Sequence, residues 1–230
     1  MYRDLFFDLD HTLWDFERNS RLTLQEAFET FGLHEILNLS FESFLGVYEE
    51  INHELWNLYR AGSISRDLLR NQRFAMVLSR YGVSDATLGN ALSDYYIHHS
   101  PRKVALMPGA KLVLDGLRNR YRLHIITNGF NEVQFTKLKF SGLSDYFSEV
   151  ITSEAAGVNK PHLDIFRHAL QQTGASADTS LMIGDHWEAD ILGAAGIGMD
   201  QAWYNPGRAP VPSPPPTYSI HSLEELLELL

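Results

Sequence analysis

The chain has 230 residues, enough to bury a full core in one large domain or in one domain carrying an insert. Its 19 Lys and Arg against 29 Asp and Glu leave a net charge of −10, with no basic run suited to a polymeric nucleic acid. The absence of cysteine excludes disulfides and thiol catalysis. No apolar run approaches the ~20 residues that span a bilayer, so a soluble cytoplasmic protein without a membrane partner is expected.

Leu5-Phe6-Phe7 is a compact apolar run that predicts a buried strand. From about 20 to 99 the apolar residues recur at three and four, as in Phe41, Phe44, Leu45, Tyr48, Ile51 and Leu55, which predicts helices. Gly32, Gly62 and Gly82 fall at their expected ends. After Pro101 the pattern alternates. Helices are predicted at 110–117, 131–140, 163–172 and 187–195, and strands at 123–127, 149–152, 180–184, 201–204 and 218–220. A last helix opens with a capping box, Ser222 and Glu225. Strands alternating with helices imply a parallel sheet with right-handed crossovers. The expected fold is therefore α/β: a Rossmann-like parallel-sheet core of 1–13 and 101–230, with a helical cap inserted at 14–100. The proline-rich stretch 206–216 reads as an extended connector.

Four short segments end strand-like runs with residues suited to phosphate chemistry: Asp8-Leu9-Asp10-His11-Thr12, Thr127-Asn128-Gly129, Lys160-Pro161 and Gly184-Asp185, with Asp190 just downstream. In open parallel sheets, ligands collect at this end of the strands. Asp8 is a candidate nucleophile, and Asp10 a candidate acid that then serves as base. Two residues apart, they face one side of an extended segment unless a loop sends Asp10 elsewhere. Thr127 and Asn128 can hold phosphoryl oxygens, and Lys160 can neutralise charge on nucleophile and phosphate. Asp8, Asp185 and a backbone carbonyl near Asp10 form a candidate Mg²⁺ set, with Asp190 orienting it. Taken singly, each segment also reads as ordinary structure: a strand end before a helix cap, an Asn-Gly turn, a surface lysine, a charge at a helix start. Together, four carboxylates facing one lysine demand a cation, since two unit charges ~4 Å apart repel by roughly 4 kcal/mol at an effective dielectric of 20.

In order and spacing these residues resemble the haloacid dehalogenase superfamily, phosphatase type, with a helical cap of the first class. The resemblance implies a parallel core of five or six strands and a turn and flap at about 11–16 leading into the cap. It also implies a Mg²⁺-dependent phosphomonoesterase acting on a small-molecule phosphate ester through an aspartyl-phosphate. Asp10 argues against the superfamily's dehalogenases and phosphonatases. His11, where sugar-phosphate mutases often carry Gly, weighs against a phosphosugar mutase without excluding it, so a mutase stands as an alternative reaction. Phosphoglycolate and other small metabolites remain alternative substrates, and a non-catalytic binding module an alternative role. Leu55-Trp56, Tyr59, Gly62, Ile64 and Arg73-Phe74, with Ile125 through Phe130, also resemble pyrimidine-nucleotide 5′-nucleotidases of that superfamily, which implies a nucleoside 5′-monophosphate substrate. On that reading Trp14, Phe16, Trp56, Tyr59, Arg73 and Phe130 are candidate specificity residues, the rings able to stack on a base. Core packing is the competing reading of the same rings, and the more ordinary one. His34, His53, His98 and His99 lack metal-site spacing.

Overall fold

A computed structural model describes residues 1–230. Six strands form one sheet: β1 (Asp4–Phe7), β2 (Arg122–Thr127), β3 (Glu149–Thr152), β4 (Ser180–Gly184), β5 (Asp200–Tyr204) and β6 (Tyr218–Ile220). Their order is β3-β2-β1-β4-β5-β6 and every pairing is parallel. The helices are α1 (Phe16–Thr30), α2 (Leu33–Leu37), α3 (Phe41–Arg60), α4 (Arg66–Arg80), α5 (Ala86–His99), α6 (Ala110–Leu117), α7 (Asn131–Phe140), α8 (Ser153–Ala156), α9 (Leu163–Thr173), α10 (Gly193–Ala195) and α11 (Leu226–Leu229). None is long and apolar enough to cross a membrane.

The chain divides into two compact units, Met1–Phe16 with Val104–Leu230, and Glu17–Lys103. Both crossings lie three residues later than the expected 13/14 and 100/101 boundaries. The reason is local. Leu13 O accepts from Met107 N, and Trp14 makes isolated bridges to Asp10 and Leu106, so 14–16 belong with the sheet unit.

Alternation along each strand builds that unit. Leu5, Phe7, Leu123, Ile125, Leu181 and Ile183 pack on one face with Val113, Leu114 and Leu117 of α6 and with Leu226 of α11. Phe6, Ile126, Ile151 and Met182 pack on the other with Ile165 and Phe166 of α9. β1 is central and fully buried on both faces, which is why Leu5, Phe6 and Phe7 run apolar without alternation after the paired Asp4. Each such side chain contributes ~1.5–3 kcal/mol on burial. The C-terminal capping box forms as expected.

The helical unit shows the expected stops, with Gly32, Gly62 and Gly82 at φ of 61°, 70° and 75°. Ser40, Ser65 and Asp85 cap its helices by accepting from backbone N–H groups three residues on. Its centre gathers Tyr48, Phe74 and Tyr96 around the buried Arg73 guanidinium, which lies 4.7–5.5 Å from the three ring centroids and donates to Asn52.

One predicted helix differs. Residues 187–192 form a π-helical turn and only Gly193–Ala195 is α-helical. His186 caps the turn by accepting from Ala189 N, and the Asp190 carboxylate turns back to accept from His186 N at 3.0 Å.

Candidate active site

The C-terminal ends of β1, β2 and β4 bring the four predicted segments together. Asp8 follows β1 directly and its N–H continues the ladder to Ile183 O. The chain then turns tightly: Leu13 N and Trp14 N both donate to Leu9 O, and His11 takes a left-handed φ of 66°. This turn separates the two aspartates that an extended segment would have kept on one side.

Lys160 is the hub. It is 2 % exposed, and its Nζ donates to Asp8 Oδ1 at 2.6 Å, Asp190 Oδ1 at 2.6 Å and Ile126 O at 2.7 Å. Three acceptors saturate an ammonium. Asn128 fixes the lysine's own backbone: its Nδ2 donates to Lys160 O, and its Oδ1 accepts from Lys160 N. Asn128 therefore positions Lys160, a connection that the sequence reading did not include. A Cβ on Gly184 would overlap the Asp190 carboxylate, so glycine at the end of β4 makes room for it.

Asp185 is held by Thr12, whose Oγ1 donates to Asp185 Oδ1 and accepts from Asp185 N, each at 3.1 Å. Trp203 Nε1 donates to Asp185 O at 2.8 Å. Carboxylate oxygens of Asp8, Asp185 and Asp190 lie within 4.8 Å of one another. Burial pushes Asp8 up to about 7, with Lys160 opposing and Asp190 and Asp10 adding to the rise. Burial, then the charges of Asp8 and Asp190, hold Asp185 well above the usual carboxylate range. Burial works against the Lys160 charge, but Asp190 and Asp8 outweigh it and raise its pKa.

Asp10 has a different environment. Its two oxygens accept from Lys137 Nζ at 2.6 and 2.8 Å, and Oδ2 also accepts from Gln134 Nε2 at 3.0 Å. Burial would raise the Asp10 carboxyl, but the Lys137 charge and these hydrogen bonds bring it below its ordinary value. Gln134 Nε2 also donates to Thr127 Oγ1 at 2.6 Å, which in turn accepts from Gly129 N. The expected count of four carboxylates on one lysine is thus corrected: Asp8 and Asp190 pair with Lys160, Asp185 lies beside these two carboxylates, and Asp10 is held by Lys137.

Lys137 and Gln134 escaped the sequence reading. Their signal was the i, i+3 spacing within the predicted 131–140 helix, which puts both on one face. Of the candidate specificity residues, Trp14 is fully buried with its ring 4.4 Å from Lys137 Nζ, which leaves no ring face for a base. Phe16 is half-buried, 5.7 Å from the same ammonium. Phe130 is buried immediately before α7. In the helical unit Arg73 lies in the core described above, while Trp56 and Tyr59 are half-buried and meet edge to face at 5.6 Å.

Residues 5–204 match the family described as haloacid dehalogenase-like hydrolase. The chain belongs to that family. Within it the chain is an enzyme of the phosphatase type. It is 34 % identical to the pyrimidine 5′-nucleotidase PynA of Streptococcus pneumoniae over all of this chain and 95 % of that one. It is 35 % identical to the pyrimidine 5′-nucleotidase YjjG of Escherichia coli over 98 % of this chain and 96 % of that one. The magnesium-bound crystal structure of the HAD-hydrolase YfnB of Bacillus subtilis superposes with a TM-score of 0.88 at 33 % identity, covering 100 % of this chain and 98 % of that one. The six-stranded parallel core with its helical unit is thus the haloacid dehalogenase-like fold.

A magnesium ion fits the donor set. Asp8 and Asp185 supply hard carboxylate oxygens, and the charge they share with Asp190 exceeds what Lys160 alone offsets. Asp190 lies beside them, its carboxylate engaged by Lys160 Nζ and His186 N.

Proposed function

We propose that this protein is a Mg²⁺-dependent phosphomonoesterase working through an aspartyl-phosphate on Asp8, with nucleoside 5′-monophosphates as its substrate class. The observation that carries the reading is the separation of Asp8 from Asp10: one carboxylate on Lys160 within the acidic cluster, the other held apart on Lys137 and Gln134. Two carboxylates in different environments are what a nucleophile and an acid–base group require.

Lys160 holds Asp8 Oδ1, which leaves Oδ2 to attack phosphorus. The phosphorus–ester oxygen bond breaks as the Asp8–phosphorus bond forms, and Asp10 donates a proton to the departing alkoxide. A water then attacks the aspartyl-phosphate, Asp10 takes its proton, and inorganic phosphate leaves Asp8. In the resting state Asp10 is a carboxylate, suited to this second half. An arriving phosphate dianion raises its proton affinity, because like charge disfavours the ionised form. Thr127, fixed by Gln134, and the backbone around Asn128 and Gly129 offer hydrogen bonds to phosphoryl oxygens. Lys160 offsets the charge that builds between nucleophile and phosphate. A magnesium ion held by Asp8, Asp185 and a main-chain oxygen near Asp10 supplies further charge neutralisation when bound.

The nucleotide assignment is supported by the likeness to PynA and YjjG along the whole chain. Trp56 and Tyr59 are the helical unit's candidates for stacking on the base. The test is phosphate release with Mg²⁺ from pyrimidine nucleoside monophosphates, sugar phosphates and phosphoglycolate. Turnover of the nucleotides well above the others is expected. Preference for phosphoglycolate or a sugar phosphate contradicts the substrate class, and isomerisation of a hexose phosphate without phosphate release contradicts hydrolysis. Asp8→Asn and Asp10→Asn are each expected to lose activity by ~10²-fold or more.

A further inference from the structure

Asp10 is separated from Asp8 by a single residue, yet the fold keeps its carboxylate out of the acidic cluster. The side chains that hold it there lie on α7. Gln134 and Lys137 are 0 % and 4 % exposed, an unusual fate for a glutamine and a lysine, and both donate to Asp10. Lys137 spans both oxygens, and its ammonium lies over the Trp14 face, 4.4 Å from the centroid, so its rotamer is set by packing as well as by charge. The turn that presents Trp14 is the one that carries Asp10, since His11 N donates to Trp14 O and Asp10 bridges Trp14. The helix itself is pinned at its start: Asn131 N donates to Glu154 Oε2 at 2.7 Å, and the Asn131 side chain accepts from Thr152 Oγ1. Gly129 is required here too, because a Cβ on it would overlap the Gln134 amide.

We propose that Lys137 is the positioning residue for the acid–base carboxylate: its two-point hold aims Asp10 at the leaving-group oxygen and keeps it from joining Asp8, Asp185 and Asp190. The proposal rests on the phosphomonoesterase reading. Lys137 itself transfers no proton. It acts through Asp10, whose proton passes to the ester oxygen as the phosphorus–oxygen bond breaks and is regained from water in the second half.

The leaving group exposes such a role. A nitrophenolate departs without a proton, whereas a ribose 5′-alkoxide needs one. The experiment measures kcat/KM, with Mg²⁺, for p-nitrophenyl phosphate and for uridine 5′-monophosphate in the full chain and in Lys137→Met and Lys137→Arg. In Lys137→Met the ratio of the first to the second is expected to rise ~30-fold or more over that of the unsubstituted protein, within the ~10²–10⁴ range of a general acid. Lys137→Arg, which keeps the charge and two donors, is expected to recover most of that change. A Met variant that loses both esters equally, with the ratio unchanged, overturns the proposal. If circular dichroism shows Lys137→Met unfolded, the same ratio is read on Lys137→Gln against the same two outcomes. An unsubstituted protein that releases phosphate from neither ester overturns the phosphomonoesterase reading and the proposal with it. Equal losses in the variant of an active enzyme overturn the proposal alone.

Discussion

A lysine that is 2 % exposed is tolerable only because three acceptors surround its ammonium. Lys160 therefore has two consequences when removed. Lys160→Met leaves Asp8 and Asp190 buried without their cation, which costs about 3–5 kcal/mol of stability when one partner of a buried pair is lost. It also removes the positive charge beside the reacting oxygens, with an expected fall in kcat of ~10²–10³. Urea melts and steady-state phosphate release check the two effects separately. A variant as stable and as active as the parent contradicts both. At this scale the sequence was informative where chemistry and position coincide: Asp8, Lys160, Asp185 and Asp190 do meet at one sheet edge. It was silent on Lys137, and it placed Thr12 in the first segment without showing that it holds Asp185. A lysine on a helix is ordinarily solvated, so only the packing of Trp14 and the direction of the Asp10 turn reveal that this one is buried.

Among the elements, β1 and β2 carry a second buried charged group at the opposite end of the sheet. His124 Nε2 and Asp4 Oδ1 are 3.0 Å apart, both residues 1 % exposed, with Arg122 on the other Asp4 oxygen at 2.8 Å. His124 also stacks on Phe6 at 4.8 Å. Burial lowers the His124 pKa although Asp4 works against it. The folded protein thus takes up the imidazole proton less readily than the unfolded chain. Its stability is fully present above the unfolded value of about 6.5 and is lost as pH falls toward the folded value, by at most ~1.4 kcal/mol per pH unit for one proton. Urea melts of the parent and of His124→Gln at about pH 7 and pH 5.5 check this. The parent is expected to lose more stability on acidification than the variant, and parallel losses contradict it. Strand existence was legible because runs such as Leu5-Phe6-Phe7 are apolar on both faces. The π-helical turn at 187–192 was not, because its apolar spacing resembles a regular helix. The Asp190–His186 hydrogen bond belongs to the site, not to the local periodicity.

Across the whole molecule, the strand order β3-β2-β1-β4-β5-β6 puts β1 between β2 and β4, so residues far apart in sequence end at one edge. This is why four segments that each read as ordinary structure gave a coherent reading in combination. The place of the helical insert was legible from the loss of strand patterning between about 20 and 99. Which of its rings are core was not, because the buried Phe74 and Tyr96 and the half-buried Trp56 and Tyr59 are alike in residue type and all lie on helices. The chain's −10 charge and its acidic cluster also bear on stability as a whole. An ion that binds only the folded state stabilises it by ~2.7 kcal/mol at a hundred times its dissociation constant. Mg²⁺ is expected to raise the thermal midpoint of the parent and to leave that of Asp185→Asn nearly unchanged. Equal shifts in both would move the ion away from Asp185.

The most direct test of the account is to identify the phosphorylated residue. Turnover of a radiolabelled nucleoside monophosphate with Mg²⁺ is quenched in acid and the protein is mapped by peptide. Label on the peptide carrying Asp8, absent in Asp8→Asn, is the predicted result. Undiminished turnover by Asp8→Asn, or label on a peptide that lacks Asp8, would contradict it.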